Sequence, residues 1–270
     1  MNIMPNDMKI GIGRNGKTLH QMIDESEAIM QSSGRYFGIA ELEIKEKDPI
    51  AYEKISSRIR GALVSARETA RTISGNPIVR ETGELCFALY TPEGDAISLS
   101  TGIMAHVHTM SEAIKYMIRN DYDTTIGISD GDIFVNNDPI SGNIHTNDVQ
   151  NFVPLFYDGE LIGWVGGVTH CTDVGISAPD LSMITNITRF EDGWILTCQK
   201  NGQNDTLNQD YLLRCETSTR ASSLWKLDEK ARISGCQIIR DAMLRMIGEI
   251  GIERYGSSRA RRSRTPGGHF

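Results

Sequence analysis

The sequence has no long apolar run and no paired cysteine motif. No stretch approaches the ~20 consecutive apolar residues that a membrane-spanning helix needs. Residues Met1 to Asp7 contain neither the basic nor the apolar segment of a secretory signal. The five cysteines include no CxxC pair, which argues against a disulfide framework and against a zinc ribbon. Together these absences favour a cytoplasmic protein with free thiols that contacts no membrane.

The charge balance is acidic along most of the chain. There are 28 Lys and Arg against 35 Asp and Glu, a formal net charge of −7, which disfavours nonspecific binding of nucleic acid. Residues 256–270 are the exception, because they hold four arginines and no acidic residue directly after a segment with helical periodicity. We expect one domain over residues 1–255 and a disordered basic tail over 256–270, produced by truncation or a frame shift.

Helical patterns occupy the two ends of the chain. Residues 18–32 carry apolar side chains at helical spacing, and Asp48-Pro49 has the form of an N-cap followed by a first-turn proline. The helix that Asp48 opens should end near Gly75, and residues 207–250 form a second helical region with a break near Ser222. The sequence therefore predicts a helical N-terminal segment and C-terminal helices.

Strand patterns fill the middle of the chain. Compact apolar runs joined by turn dipeptides such as Asp158-Gly159 are typical of β-hairpins. Strands and helices do not alternate regularly, so the pattern favours an α+β fold with a central antiparallel or mixed sheet of β-hairpins. The predicted strands are residues 84–90, 96–99, 133–135, 152–156, 161–168 and 194–198, and a short helix is predicted over 110–117.

Residues Gly11 to Thr18 fit the GxxxxGK[ST] pattern of phosphate-binding loops. Such a loop must connect a buried strand to a helix, whereas the residues before Gly11 are polar and interrupted by Pro5. We therefore interpret the segment as a glycine-rich lead-in that Thr18 caps, and we expect no nucleotide on this chain.

Histidine and aspartate recur at the same spacing in two places. His145 and Asp148 lie in a loop rich in Gly, Asn and Ser, and His170 and Asp173 follow a predicted strand. Two imidazoles and a carboxylate form a ligand set for Mn²⁺, Fe²⁺ or Zn²⁺ with positions left open for substrate. Asp173 could be a fourth ligand, a partner of a ligating imidazole or a cap. The histidines could instead be held by backbone carbonyls.

A second pair of histidines, His106 and His108, precedes the predicted helix over 110–117. On an extended segment, side chains at i and i+2 share a face, so both imidazoles could bind a metal or a substrate. Hydrogen bonding within a buried loop is the simpler explanation for each histidine taken alone.

Five blocks follow one another along the chain: Gly83–Asp95, His106–Ala113, Gly131–Pro139, His145 to Asp148, and His170–Gly175. In this order they resemble the hydantoinase B/oxoprolinase family and, within it, the alpha subunits of acetone carboxylases. The likeness covers roughly residues 8–255, and five ordered blocks are more specific than any single motif. Those alpha subunits are considerably longer, so the chain resembles only their N-terminal part.

The resemblance implies a manganese site, because the family residues that match His145, Asp148 and His170 bind Mn²⁺. Three further candidates, for orientation or proton transfer, are Asp173, His106 and His108. The implied reaction is the ATP-dependent joining of acetone and bicarbonate to give acetoacetate. ATP and Mg²⁺ would bind a partner subunit, and the implied partners are beta-like and gamma-like subunits of the same complex.

Two other functions stay open. A subunit of an ATP-dependent cyclic amide hydrolase, which opens hydantoin or 5-oxoproline, belongs to the same family and could use similar blocks. A chain that matches only part of the family subunit could instead be a non-catalytic remnant or an assembly piece that docks on partner subunits.

Overall fold

The computed structural model describes residues 11–176 and 188–257. Within those residues seven strands form one sheet: β1 (Leu85–Tyr90), β2 (Ala96–Leu99), β3 (Ile133–Asn136), β4 (Asp148–Tyr157), β5 (Glu160–His170), β6 (Gln199–Gln203) and β7 (Thr206–Leu207). They lie in the order β2-β1-β5-β4-β3-β6-β7, and every neighbouring pair is antiparallel. The predicted α+β class is confirmed, and the sheet takes the antiparallel of the two predicted forms.

The helices of the described residues flank this sheet. Thr18 and Gln21 form a capping box at the start of the first helix, and the Asp48 carboxylate accepts a hydrogen bond of 3.0 Å from Ala51 N at the start of the third. Both predicted helix starts are therefore confirmed. The α-helices are α1 (Leu19–Ser33), α2 (Glu43–Lys47), α3 (Pro49–Ile73), α4 (Ala105–Arg119), α5 (Tyr122–Thr125), α6 (Gln209–Ser218), α7 (Ser222–Ile250) and α8 (Ile252–Ser257).

Both faces of the sheet centre are buried. In β1, Leu85, Phe87 and Leu89 belong to a core cluster with α3 and α7. The alternate residues of the same strand, which include Cys86 and Tyr90, belong to a second cluster with α1 and α4. Two-sided burial explains why β1 is a continuous apolar run although the sheet is antiparallel.

The β4–β5 hairpin is the longest pair of the sheet and carries the candidate site. Asp158 and Gly159 connect the strands with φ values of +50° and +78°, as a type I′ turn requires. Both strands are longer than predicted, since β4 starts at Asp148 and β5 ends at His170. The polar composition of the first residues of β4 is typical of a loop, but these residues pair with the end of β5.

Residues 194–198 are not the strand that was predicted, because β6 begins only at Gln199. The side-chain amides of Asn136 and Asn137 bind this segment in place of a strand ladder. Asn137 Oδ1 accepts from Leu196 N at 2.7 Å, and Asn136 Oδ1 accepts from Cys198 N at 3.2 Å.

Helix α4 begins at Ala105, earlier than predicted, so His106 and His108 lie in a helix and not on an extended segment. The apolar spacing of Val107, Met110 and Ile114 carries the helical pattern back into this first turn. Helix α8 runs to Ser257, and the rest of the predicted basic tail, residues 258–270, lies outside the described residues. Along the stretches that the structure describes, we find no helix with the length and apolar character needed to cross a bilayer.

Candidate metal centre

Three side chains that were predicted to be metal ligands converge where β4 begins and β5 ends. His145, Asp148 and His170 each offer one ligand atom, and these atoms all lie within 4.8 Å of one another. His145 Nε2 is 3.2 Å from Asp148 Oδ2, and His170 Nδ1 is 3.1 Å from Asp148 Oδ1. The buried carboxylate thus lies between two partly exposed imidazoles, and the binding of an ion by this group stays a prediction.

Strand register brings two of these residues together. Asp148 and His170 are directly paired across β4 and β5. Side chains alternate between the faces of a strand, so both share a face with Phe152 and Val168, which pack in the cluster that contains α4. The third residue, His145, reaches the same point from the turn before β4.

The amide of Asn143 holds this turn in place. Asn143 Nδ2 donates to the carbonyls of both His145 and Asp148, at 2.7 Å and 2.6 Å. Its Oδ1 accepts from Gln150 Nε2 at 3.0 Å, and Gln150 Oε1 accepts from Asn136 Nδ2 at 2.9 Å. Sequence reasoning missed Asn143, because Gly, Asn and Ser composition indicates a loop without showing which amide faces inward.

The two imidazoles have opposite pKa shifts. Burial lowers the pKa of His145, and the nearby Asp148 charge does not offset this effect. Burial would also lower the pKa of His170, but the hydrogen bond and the charge of Asp148 outweigh it, so the pKa of His170 is raised. The charge of Glu84 acts to raise the pKa of both histidines. The backbone carbonyl of Glu84 accepts a hydrogen bond from His170 N at 3.2 Å. No role had been assigned to Glu84, and its proximity follows only from the pairing of β1 with β5.

His106 belongs beside this group, whereas His108 does not. The His106 side chain is buried, and its Nδ1 lies 3.9 Å from Asp148 Oδ2. His108 is exposed and lines a separate pocket of about 830 Å³ together with Tyr36 and Lys115. The helix therefore separates the two imidazoles, which an extended segment would have placed on one face.

The hydrogen bonding of buried polar atoms beside this group is consistent with a bound cation. In the part of the chain that the structure describes, Nδ1 of His106 is buried, has no hydrogen-bond partner and lies 3.9 Å from Asp148 Oδ2. Buried nitrogen atoms without a partner are uncommon and need an explanation such as an ion or a water molecule. The imidazoles of His145 and His170 and the Asp148 carboxylate form a nitrogen and oxygen donor set that suits Mn²⁺, Fe²⁺ or Zn²⁺.

Asp173 is engaged elsewhere. Its carboxylate accepts from Gly175 N at 2.9 Å and from Ala221 N at 3.2 Å, and it forms an ion pair with Arg220 at 3.0 Å. Although burial opposes the effect, these backbone hydrogen bonds lower the pKa of Asp173. Of the alternatives considered for this residue, the structure shows the cap, which ties the chain after β5 to the start of α7.

The lysine of the glycine-rich segment before α1 forms an ion pair. Lys17 Nζ lies 2.5 Å from Glu25 Oε1 and 2.7 Å from Oε2, on the first helix. Thr18 caps that helix, as expected for a lead-in segment.

Comparisons with known proteins indicate the same family as the five sequence blocks. Residues 48–261 match the family described as Hydantoinase B/oxoprolinase. The chain is 47% identical over 245 residues to the acetone carboxylase alpha subunit of Xanthobacter autotrophicus, covering 91% of the chain and 32% of that subunit. It is 28% identical over 172 residues to the acetophenone carboxylase delta subunit of Aromatoleum aromaticum, covering 63% of the chain and 25% of that subunit.

A solved structure extends the likeness to three dimensions. Nucleotide-free acetone carboxylase superposes with a TM-score of 0.89 at 47% identity, over 93% of this chain and 33% of the matched chain. The chain thus spans a quarter to a third of the length of these relatives. The length of the family match and the level of identity lead to one conclusion: this chain belongs to the hydantoinase B/oxoprolinase family.

Proposed function

We propose that this chain carries the metal centre of an alpha subunit of an ATP-dependent ketone carboxylase, which forms acetoacetate from acetone and bicarbonate. The observation that carries the proposal is the convergence of His145, Asp148 and His170 within 4.8 Å, in a chain 47% identical to an acetone carboxylase alpha subunit. Because the chain spans a third of that subunit, activity would require the remaining part of the subunit and its partners.

The chemistry needs a site that stabilises negative charge on oxygen. Carboxylation removes a proton from the methyl carbon of the ketone and joins that carbon to CO₂, so charge develops first on an enolate oxygen and then on a carboxylate. ATP on a partner subunit would activate the ketone and bicarbonate by phosphorylation. When bound, Mn²⁺ would supply Lewis-acid stabilisation of these oxygens, an effect of several kcal/mol.

The residues of the chain prepare the site for this chemistry. Asp148 supplies the negative charge that attracts the ion, and its burial keeps the charge unscreened by water. His145 has a lowered pKa and so offers a neutral imidazole near neutral pH. The buried Nδ1 of His106, which is 3.9 Å from Asp148 Oδ2 and has no hydrogen-bond partner among the described residues, is available to exchange a proton with a bound substrate.

Elemental analysis of the purified chain tests the metal centre. The unaltered chain should contain about one equivalent of Mn²⁺, whereas His145→Ala and His170→Ala should each lose it. His20→Ala is the matched control, since His20 lies on α1 and is bound to Asp121 at 2.8 Å. Equal metal content in the unaltered chain and in His145→Ala would contradict the assignment.

A cyclic amide hydrolase is the second candidate, because the matched family is described by hydantoinase B and oxoprolinase. Purification together with beta-like and gamma-like subunits would separate the two functions. ATP-dependent incorporation of labelled bicarbonate in the presence of acetone supports the carboxylase. ATP-dependent opening of hydantoin or 5-oxoproline supports the hydrolase, and failure to associate with any subunit supports a non-catalytic fragment.

A further inference from the structure

A fully buried charge network lies among α6, α7 and the β4–β5 hairpin. Arg232 of α7 forms an ion pair with Glu229 at 2.7 Å, and both side chains are 0% exposed. The Arg232 guanidinium also donates to Asn151 Oδ1 at 2.5 Å and to the Thr169 hydroxyl. Glu229 in turn accepts from Asn151 Nδ2 at 2.9 Å and from the Tyr211 hydroxyl at 2.5 Å. One guanidinium therefore binds both β4, through Asn151, and β5, through Thr169.

This network lies directly behind the candidate ligands. Thr169 precedes His170, and Asn151 lies three residues after Asp148. Since side chains alternate along each strand, Thr169 and Asn151 project from the face of the sheet opposite to Asp148 and His170. The guanidinium and the ligand group thus occupy the two faces of the same pair of strand ends.

A second set of hydrogen bonds fixes the end of β5 from the same side. Asn76, just after α3, donates through Nδ2 to the carbonyl of His170 at 2.6 Å. Asn76 N donates to Ser74 Oγ at 3.1 Å, and Ser74 Oγ donates to Asp228 of α7 at 2.5 Å. Helix α7 therefore restrains His170 by two separate routes.

Stability alone does not account for a buried ion pair at this position. Taking two charges out of water has a large desolvation penalty, and apolar side chains of similar volume often give equal or greater stability. A guanidinium has one property that apolar side chains lack, which is a planar set of donors that fixes several acceptors in defined directions. Here those acceptors belong to the two strands that carry Asp148 and His170.

We propose that Arg232 is a positioning residue for the metal centre, which ties β4 to β5 behind the ligand pair and so sets the separation of Asp148 and His170. The inference rests on the proposed function, since it assumes that these residues bind Mn²⁺. Outer groups that orient metal ligands typically change metal affinity by about 10- to 100-fold.

The test compares two double variants of the full 270-residue chain. Arg232→Met with Glu229→Gln removes both charges together, and the glutamine keeps a partner for Tyr211 and Asn151. The matched control is Arg240→Met with Asp205→Asn, because this ion pair of 2.6 Å also starts from α7 but leads to the β6–β7 turn. Each protein is titrated with Mn²⁺, with the free ion followed by electron paramagnetic resonance, and its metal-free thermal unfolding midpoint is measured.

We expect the Arg232 and Glu229 double variant to bind Mn²⁺ about tenfold more weakly than the unaltered chain, and the control to bind normally. Unchanged affinity in the first variant, or equal loss in the control, would overturn the inference. Absence of Mn²⁺ binding by the unaltered chain would overturn the metal centre itself, and the inference with it.

A milder pair of variants applies if the first double variant does not fold. Thr169→Val removes only the hydroxyl that Arg232 binds, next to His170, and Thr169→Ser restores it. We expect weaker Mn²⁺ binding in Thr169→Val and recovery in Thr169→Ser. Identical affinity in the two variants would overturn the role of Arg232.

Discussion

The imidazole of His170 and the carboxylate of Asp148 face each other at a paired position of β4 and β5, with Nδ1 and Oδ1 3.1 Å apart. The residues are 22 positions apart in the sequence, and the β4–β5 hairpin places them opposite each other. The same contact raises the pKa of His170, so a metal ion bound by this imidazole would have to displace a proton that Asp148 stabilises.

Mn²⁺ binding should weaken as the pH falls below neutrality. Burial on its own would lower the pKa of His170, but Asp148 raises it above the ordinary value of 6.5. Protonation of this imidazole therefore begins at a higher pH than usual and displaces the ion. Titrations with Mn²⁺ between about pH 8 and about pH 6 measure the effect, and an affinity that stays constant over this range would contradict it.

Replacement of Asn143 by alanine should weaken metal binding and stability together. The change leaves the carbonyls of His145 and Asp148 without their shared donor, which costs about 1–3 kcal/mol for buried groups. Urea unfolding and Mn²⁺ titration give the two quantities. Asn120→Ala is the control, because Asn120 makes a similar 2.8 Å bond to the Tyr116 carbonyl at an exposed helix end. Equal effects in the two variants would show that Asn143 has no special part in the site.

The elements that sequence patterns predicted well are those whose signals are local. The caps at Thr18 and Asp48 and the turn at Asp158-Gly159 depend on neighbouring residues, and all three are present in the structure. The family blocks indicated His145, Asp148 and His170 as one group, and the structure brings them together.

The features that could not be predicted depend on distant partners. The start of β4 consists mostly of polar residues, which become a buried strand only because β5 and α7 supply partners for them. The sequence of residues 194–198 is typical of a strand, but the side-chain amides of Asn136 and Asn137 bind the backbone of this segment in place of a neighbouring strand. Asp173 repeats the spacing of the ligand pair, yet its carboxylate caps the start of α7. Spacing alone cannot distinguish these outcomes.

The Gly167→Ala substitution should destabilise the fold by about 1–3 kcal/mol, because the sheet centre has no room for a methyl group. A Cβ at Gly167 would lie 2.4 Å from Phe87 Cε1 and 3.2 Å from Cys236 Sγ. Gly61→Ala is the matched control, since nothing lies within 4 Å of a Cβ there and alanine favours the helix. The change in the free energy of unfolding, measured with denaturant, should have opposite signs in the two variants. An unchanged free energy of unfolding in Gly167→Ala would mean that the Phe87 side chain can shift to make room for the methyl group.

The ion pair between Asp205 and Arg240 should contribute stability that acid removes. The hydrogen bond from Arg240 lowers the pKa of Asp205 below its ordinary value of 3.8. A lowered carboxyl pKa stabilises the fold above the unfolded value, and this stabilisation is lost as the pH falls through the folded value. Asp205→Asn should therefore cost about 0.5 kcal/mol near neutral pH, a small effect because Asp205 is 40% exposed.

Unfolding of the unaltered chain and of Asp205→Asn, measured at about pH 7 and about pH 3, checks this sign. The difference in the free energy of unfolding between the two proteins should be smaller at the lower pH. A gap that widens in acid would contradict the assigned direction.

The hairpin has a consequence for the order in which the chain folds. His145, Asp148 and His170 are all synthesised before α7 begins at Ser222. A hairpin closes a short loop, so its entropic cost is low and it can form while the rest of the chain is still being made. Arg232 arrives later and must dock on strands that are already paired. The three residues can therefore meet early in folding, before the helix that carries Arg232 has been synthesised.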